Sequence, residues 1–312
     1  MKVAVTSKAF SHNETLVSEI SRHFHDVKFN LTGKLLEGQD LLDFLGDRDM
    51  AIVAMESITP EVVDALPNLQ VIAKFGVGLN NIDLQYCQEK CLEVRWTAGV
   101  NRGSVAEMAL GFMLMLMRNL FITANQLSDG HWNKSGGVSL YGKTIGIIGL
   151  GHIGQELVRI LQPFNCRILV NDIVDRSDFC QQYDLQMVDK KFIFEHAHIV
   201  TLHTPLTTQT KRFIDRSVFE IMREDAFLLN TARGELVDLD ALKNALINHS
   251  IAGAAIDVYD VEPPQDAEFL AIPNLICTPH IGGNSQEATI AMGQSAISHL
   301  LDFTAHRENT LG

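Results

Sequence analysis

Thr144-Ile-Gly-Ile-Ile-Gly-Leu-Gly-His-Ile-Gly-Gln-Glu-Leu-Val-Arg-Ile-Leu161 is the stretch on which the fold turns. The three isoleucines Ile145, Ile147 and Ile148 lead into Gly149-x-Gly151-x-x-Gly154, and an amphipathic helical pattern follows without a break. In such a strand–turn–helix the first glycine permits the tight turn. The second lets the backbone approach a pyrophosphate, and the third lets helix and strand pack closely. The helix N-terminus offers unpaired N–H groups and partial positive charge to the phosphates, here through the residues around Gly151, His152 and Ile153. A second strand, Arg167–Asn171, ends in Asp172, near the spacing of the acid that bonds an adenine-ribose hydroxyl. A carboxylate there repels a 2′-phosphate, so NAD is expected over NADP; Arg176 lies four residues on and weakens that preference.

Outward from this unit, short β-branched runs alternate with helical patterns, which signals parallel α/β architecture. The expected strands are Val3–Thr6, Ala51–Ala54, Val71–Lys74 and Val94–Thr97 in the first third. Thr144–Ile148, Arg167–Asn171, Ile199–His203, Phe227–Asn230, Ala254–Asp257 and Leu275–Thr278 follow. Two Rossmann-like open parallel sheets are therefore predicted. The apolar spacing in residues 285–303 predicts a last helix returning to the N-terminal domain and making it discontinuous. The expected boundaries are 1–101 with 287–312 for one domain and 102–286 for the dinucleotide domain.

A chain of 312 residues with 46% apolar and 20% charged residues has an ordinary globular balance. A net charge of −13 disfavours a nucleic-acid partner, since phosphate backbones are bound by clustered cations. The five cysteines form no CxxC pair, and the Met1-Lys-Val-Ala-Val start reads as a strand, so a cytoplasmic protein with reduced thiols and no metal is expected. Val105–Leu120 is the most apolar stretch. It carries Glu107 and Arg118 and is shorter than a bilayer span, so no membrane role is expected.

Three later strands end in groups suited to carbonyl chemistry. Asn230-Thr-Ala-Arg-Gly offers Arg233, Asp257-Val-Tyr-Asp-Val-Glu offers Asp257 and Glu262, and Thr278-Pro-His-Ile-Gly-Gly offers His280. Open α/β sheets bind their ligands at such strand ends. An arginine, an acid and a histidine beside a dinucleotide site suit hydride transfer to a carbonyl that bears a carboxylate.

These segments resemble the D-isomer-specific 2-hydroxyacid dehydrogenases. The likeness runs from about Ile52 to Gly283 through GVGLNNID (76–83), NRGSVAE (101–107), YGKTIGIIGLGHIG (141–154), LHTPLTTQT (202–210), NTARGELVD, AAIDVYDVEP and TPHIGG. It implies catalytic roles for three residues. Arg233 would clamp the substrate carboxylate and keto oxygen, since guanidinium presents two fixed donors. His280 would be the general acid/base, and Glu262 would hold its imidazole in one tautomer. It also implies a cofactor lining of His203, Thr204, Pro205, Thr210, Thr231, Ala232, Arg233, Asp257, His280 and Gly282, with Asp257 and the Ala232 carbonyl on the carboxamide. The N–H groups of Val77 and Gly78 would receive the substrate carboxylate, with Asn101 and Ser104 nearby, and a homodimer with Trp132 at its contact would follow.

The likeness is nearest the phosphoglycerate-dehydrogenase branch, with one departure at residues 54–60. Formate enzymes of the family carry Gln where Glu262 stands, which argues against formate. In Ala54-Met-Glu-Ser-Ile-Thr-Pro60, Met55 and Glu56 stand where a phosphate-binding arginine would be useful, and Glu56 is expected to repel phosphate. The substrate is therefore read as a small 2-hydroxy or 2-keto acid. The alternative from another class is an NADH-sensing, corepressor-like binding protein on the same fold.

Overall fold

The computed structural model describes residues 1–311, with side chains through 307. The chain divides into two compact units, Met1–Asn101 with Asn284–Gly312, and Arg102–Gly283.

The first unit holds a five-stranded parallel sheet of β1 (Lys2–Val5), β2 (Asp26–Phe29), β3 (Met50–Val53), β4 (Val71–Lys74) and β5 (Glu93–Arg95). Its spatial order is β2-β1-β3-β4-β5. β3 and β4 are buried at every position, as a strand covered on both faces must be. β2 was not foreseen. Its Asp-Val-Lys-Phe sequence alternates charge with apolar residues, because it lies at the sheet edge. On one face pack Phe10, Leu16 and Ile20 together with Met292, Ala296, Ile297 and Leu300. The last four belong to the terminal helix Gln286–Leu311, so that helix does return to the N-terminal core.

The second unit holds seven parallel strands: β6 (Thr144–Ile148), β7 (Arg167–Asn171), β8 (Gln186–Met187), β9 (Ile199–Leu202), β10 (Phe227–Asn230), β11 (Gly253–Ile256) and β12 (Leu275–Cys277). The order is β12-β11-β10-β9-β6-β7-β8. The chain thus builds outward from β6 to one side and then from β9 to the other. The β6/β9 boundary is the switch point at which such sheets bind ligands. β8, two exposed residues at the edge, has too few side chains to leave a pattern and was also not foreseen. The apolar segment near Val105 is the helix Arg102–Met117, which buries Val105, Ala106, Ala109, Phe112, Met113, Leu116 and Met117. Among the described residues no single helix is long and apolar enough to cross a membrane.

Candidate active site

The glycine turn follows β6 at the switch point. Gly149 has φ +97°, a value L side chains rarely adopt, and a Cβ there would strike the carbonyl of His203 at the end of β9. A Cβ on Gly154 would strike the Gly149 carbonyl, whereas one on Gly151 would meet nothing within 4 Å. The first and third glycines therefore close the turn against its neighbours, and the middle one borders open space. Gly151 caps the helix His152–Leu161 without a side-chain hydrogen bond, leaving the first-turn N–H groups, His152 and Ile153 included, to a ligand.

Asp172, after β7, accepts from the Leu150 N–H at 2.7 Å through one oxygen and from the Val174 N–H at 2.9 Å through the other. The Arg176 Nε lies 4.0 Å away. The acid is thereby fixed beside the glycine turn, with spare lone pairs on each oxygen.

The ends of β9 and β10 carry two buried polar atoms without a partner among the described residues, His203 Nδ1 and Thr231 Oγ1. Burial pushes the His203 imidazole down to about 4, so it is neutral at pH 7, with Nε2 on the Thr201 hydroxyl at 2.9 Å. Buried polar atoms in native proteins are nearly always satisfied, and two orphans flanking a glycine turn are what a bound dinucleotide would complete. The donors and the open ground at Gly151 fit such a group. Thr204 opens the loop after β9, which is knotted where Thr210 Oγ1 donates to the Pro205 carbonyl at 2.8 Å.

Arg233 follows β10. Asn230 shapes its turn: the side-chain oxygen accepts from Ala232 N–H at 3.1 Å, and the amide donates to the Arg233 carbonyl at 2.8 Å. The guanidinium is largely buried, which lowers its pKa, while the charges of Glu235 and Glu262 act to raise it. Nη1 donates to the Ala232 carbonyl at 2.6 Å, so that carbonyl, expected on the cofactor carboxamide, is already shared with Arg233. Gly234 presses on the Tyr259–Asp260 backbone so closely that a Cβ would collide with it. This contact seats the arginine beside the loop that bears Glu262.

His280 and Glu262 come together as the motif order suggested. Nδ1 of the imidazole lies 2.8 and 3.0 Å from the two carboxylate oxygens. A carboxylate only accepts, so Nδ1 carries the proton that faces Glu262. Three groups hold this pair. The Tyr259 N–H donates to Glu262 Oε1 at 3.1 Å, and the Tyr259 hydroxyl donates to the Thr278 carbonyl at 3.0 Å. Asp257, 1% exposed, accepts from the Thr278 hydroxyl (2.6 Å) and the Ile281 N–H (2.9 Å) on one oxygen, and from the Gly282 N–H (2.7 Å) on the other. Its visible work is thus to shape the turn on which His280 sits at φ +54°. Ser104 Oγ donates to the Gly282 carbonyl at 2.7 Å from the other side. Tyr259 and Thr278 were not singled out from sequence. They sit inside motifs read for other residues, and only the fold shows their partners.

The remaining expected residues belong to the first unit. Val77 and Gly78 follow β4 and are half-buried; among the described residues no acceptor meets their N–H groups. Asn101 is 9% exposed, with its Oδ1 unpartnered among the described residues. Glu56 departs from expectation. It does not face outward but is 2% exposed, and Met55, 60% exposed, takes the outward position. The Thr6 hydroxyl and the Ala54 N–H hold its carboxylate at 2.7 and 2.8 Å, and this is why it turns inward.

Comparison with known proteins agrees with this geometry. Residues 110–282 match the model of the D-isomer specific 2-hydroxyacid dehydrogenase NAD-binding domain. The hydroxypyruvate reductase of Thermotoga maritima is 34% identical over 85% of this chain and 88% of its own length. The glyoxylate reductase of Thermofilum pendens is 35% identical over 84% of this chain and 80% of its own. The D-3-phosphoglycerate dehydrogenase of Methanocaldococcus jannaschii is 36% identical over 83% of this chain, which spans only 50% of that protein. Among solved structures, the NAD-dependent formate dehydrogenase of Staphylococcus aureus in complex with NAD superposes with TM-score 0.84 at 29% identity, covering 98% of this chain and 96% of that one. On these grounds the chain belongs to the D-isomer-specific 2-hydroxyacid dehydrogenase family and is an NAD-binding oxidoreductase of two Rossmann-like domains.

Proposed function

We propose that the protein reduces a small, unphosphorylated 2-keto acid to the D-2-hydroxy acid, with His280 as acid/base, Glu262 as its partner and Arg233 as the clamp on carboxylate and carbonyl. The observation that carries the reading is the His280 Nδ1–Glu262 pair at 2.8 Å, set on strand ends in the same unit as the glycine turn. When bound, NADH supplies the hydride. His280 then delivers a proton from Nε2 to the carbonyl oxygen and takes it back in the oxidation direction. Glu262 fixes the tautomer and balances the imidazolium charge. Arg233 pairs with the carboxylate and polarises the carbonyl, and its burial strengthens both contacts by excluding water. The Val77 and Gly78 N–H groups receive the carboxylate, and Asp172 takes the adenine-ribose hydroxyls and disfavours a 2′-phosphate.

The absence of phosphate on the substrate is read from the end of β3. Ala54–Pro60 contains no cation, and its outward residues are Met55 and Ser57. The names of the Thermotoga and Thermofilum relatives are in keeping with that choice. The test is a panel of glyoxylate, hydroxypyruvate, pyruvate and 3-phosphohydroxypyruvate with NADH and NADPH. Turnover of the first three with NADH is expected. Preference for the phosphorylated acid would overturn the substrate reading, and no turnover of any member alongside tight NADH binding would overturn the enzymatic one.

Self-association belongs to the same proposal. Leu120 and Leu127 of the helix Leu120–Ser128, with Trp132 (79% exposed), Val138 and Tyr141, present large apolar side chains to solvent. The segment after the helix is tied back to it, with His131 N–H on the Gln126 carbonyl at 2.7 Å and the Asn133 amide on Gln126 Oε1 at 2.8 Å. A second copy of the chain would cover this surface.

A further inference from the structure

The C-terminal ends of β1, β3 and β4 hold a buried polar network that the proposed chemistry does not use. Glu56 and Lys74 are 2% and 4% exposed. Glu56 Oε2 accepts from the Thr6 hydroxyl and the Ala54 N–H. Lys74 Nζ donates to the Ala54 carbonyl and, at 2.7 Å, to Asn81 Oδ1. The Asn81 amide donates to the Ala54 carbonyl at 3.1 Å and to the Glu56 carbonyl at 2.6 Å. Main-chain bonds continue the seam: Ile58 N–H meets the Asn81 carbonyl at 2.8 Å, and Asp83 N–H meets the Ile58 carbonyl at 3.0 Å.

The consequence is geometric. Lys74 stands before the turn Gly76–Gly78 and Asn81 after it, and both are tied to the same stretch, Ala54–Glu56. The turn is thus a short span between two anchors, and Gly76 takes φ +132° within it. Burying a lysine and a glutamate is costly, and an apolar pair of like size would join two loops as firmly. What the charged and amide groups add is direction. The bonds to the Ala54 N–H, the Ala54 carbonyl and the Glu56 carbonyl fix where those backbone atoms lie, and so how the N–H groups of Val77 and Gly78 point.

We propose that Thr6, Glu56, Lys74 and Asn81 form a positioning network that holds the Gly76–Gly78 turn in the form that receives the substrate carboxylate. This rests on the reading that Val77 and Gly78 bind that carboxylate. Their side chains are bonded to one another and to the backbone of Ala54 and Glu56, so on this reading their effect reaches the substrate through the turn.

The test uses the full chain with NADH. Asn81→Ala, Glu56→Gln and Thr6→Val, the last removing a single hydroxyl, are assayed with pyruvate and with methylglyoxal, which keeps the ketone but lacks the carboxylate. Loss of an aligned contact made alike in ground and transition states raises KM and leaves kcat. A rise of about ten- to a hundredfold in the pyruvate KM is expected for Asn81→Ala and Glu56→Gln, with a smaller rise for Thr6→Val. The NADH Kd and kcat should stay within about twofold, and the preference for pyruvate over methylglyoxal should shrink by the same factor as KM rises. A merely structural role would depress both substrates equally, and that result overturns the proposal, as does an unchanged pyruvate KM in folded variants. Should Asn81→Ala and Glu56→Gln fail to fold, Thr6→Val decides by the same two readouts. Failure of the proposed function, in which Arg233 and the turn together bind a carboxylate, looks different: the wild type itself would show no preference for pyruvate over methylglyoxal.

Discussion

Both oxygens of Glu262 lie within hydrogen-bond reach of one imidazole nitrogen, so under the proposed mechanism a single residue pair fixes which nitrogen of His280 faces the substrate. His280→Ala should lower kcat by about two to four decades, the usual span for a general acid–base group, while the NADH Kd from fluorescence titration stays near the wild-type value. Retention of the full rate would exclude the acid/base role. Asp172→Ser should weaken NADH and narrow its advantage over NADPH, read as the ratio of the two kcat/KM values; an unchanged ratio would exclude the ribose role. Residue identity was the most legible level, because Arg233, Glu262 and His280 lie in motifs whose order along the chain carries the resemblance. Residue direction was not. Glu56 looks like a surface acid in Met-Glu-Ser, yet partners at Thr6 and Ala54 draw it inside. Asp257 looks like a ligand group, yet three donors of the His280 turn occupy its oxygens first.

At the scale of elements, the glycine turn and the strands around it were readable, because a strand buried on both faces is a continuous apolar run and a turn of special geometry needs glycine. β2 and β8 were missed for the complementary reason, that an edge strand carries charge or is too short to show a period. The turn also offers a test. A Cβ on Gly154 meets the Gly149 carbonyl, a backbone atom that cannot swing aside. Gly154→Ala should therefore cost about 1–3 kcal/mol, the usual penalty of overpacking, and loosen NADH as the turn is pushed open. Urea denaturation and NADH titration check the two effects, and a variant of unchanged stability would show that the close packing is not needed.

For the molecule as a whole, acid stability follows from His203. Its folded value of about 4 lies below the ordinary 6.5, so the unfolded chain takes up the proton first. The contribution of this group is complete above about pH 6.5 and is lost as the pH falls toward 4. His203→Gln should flatten the decline in urea midpoint between pH 7 and pH 5 relative to wild type, and parallel declines would refute the assignment. Association is tested by light scattering across a concentration series: the wild type is expected as a dimer, Trp132→Asp with Leu127→Asp as a monomer, and a wild-type monomer at every concentration would discard the surface. Local pattern alone was enough for the α/β class and the dinucleotide turn, since each depends on a residue and its near neighbours in the chain. The inward turn of Glu56, the Lys74–Asn81 anchors and the Tyr259 brace arose only on folding. They join positions many residues apart, and which way a polar side chain points is settled by the partners that sheet register and loop packing bring to it.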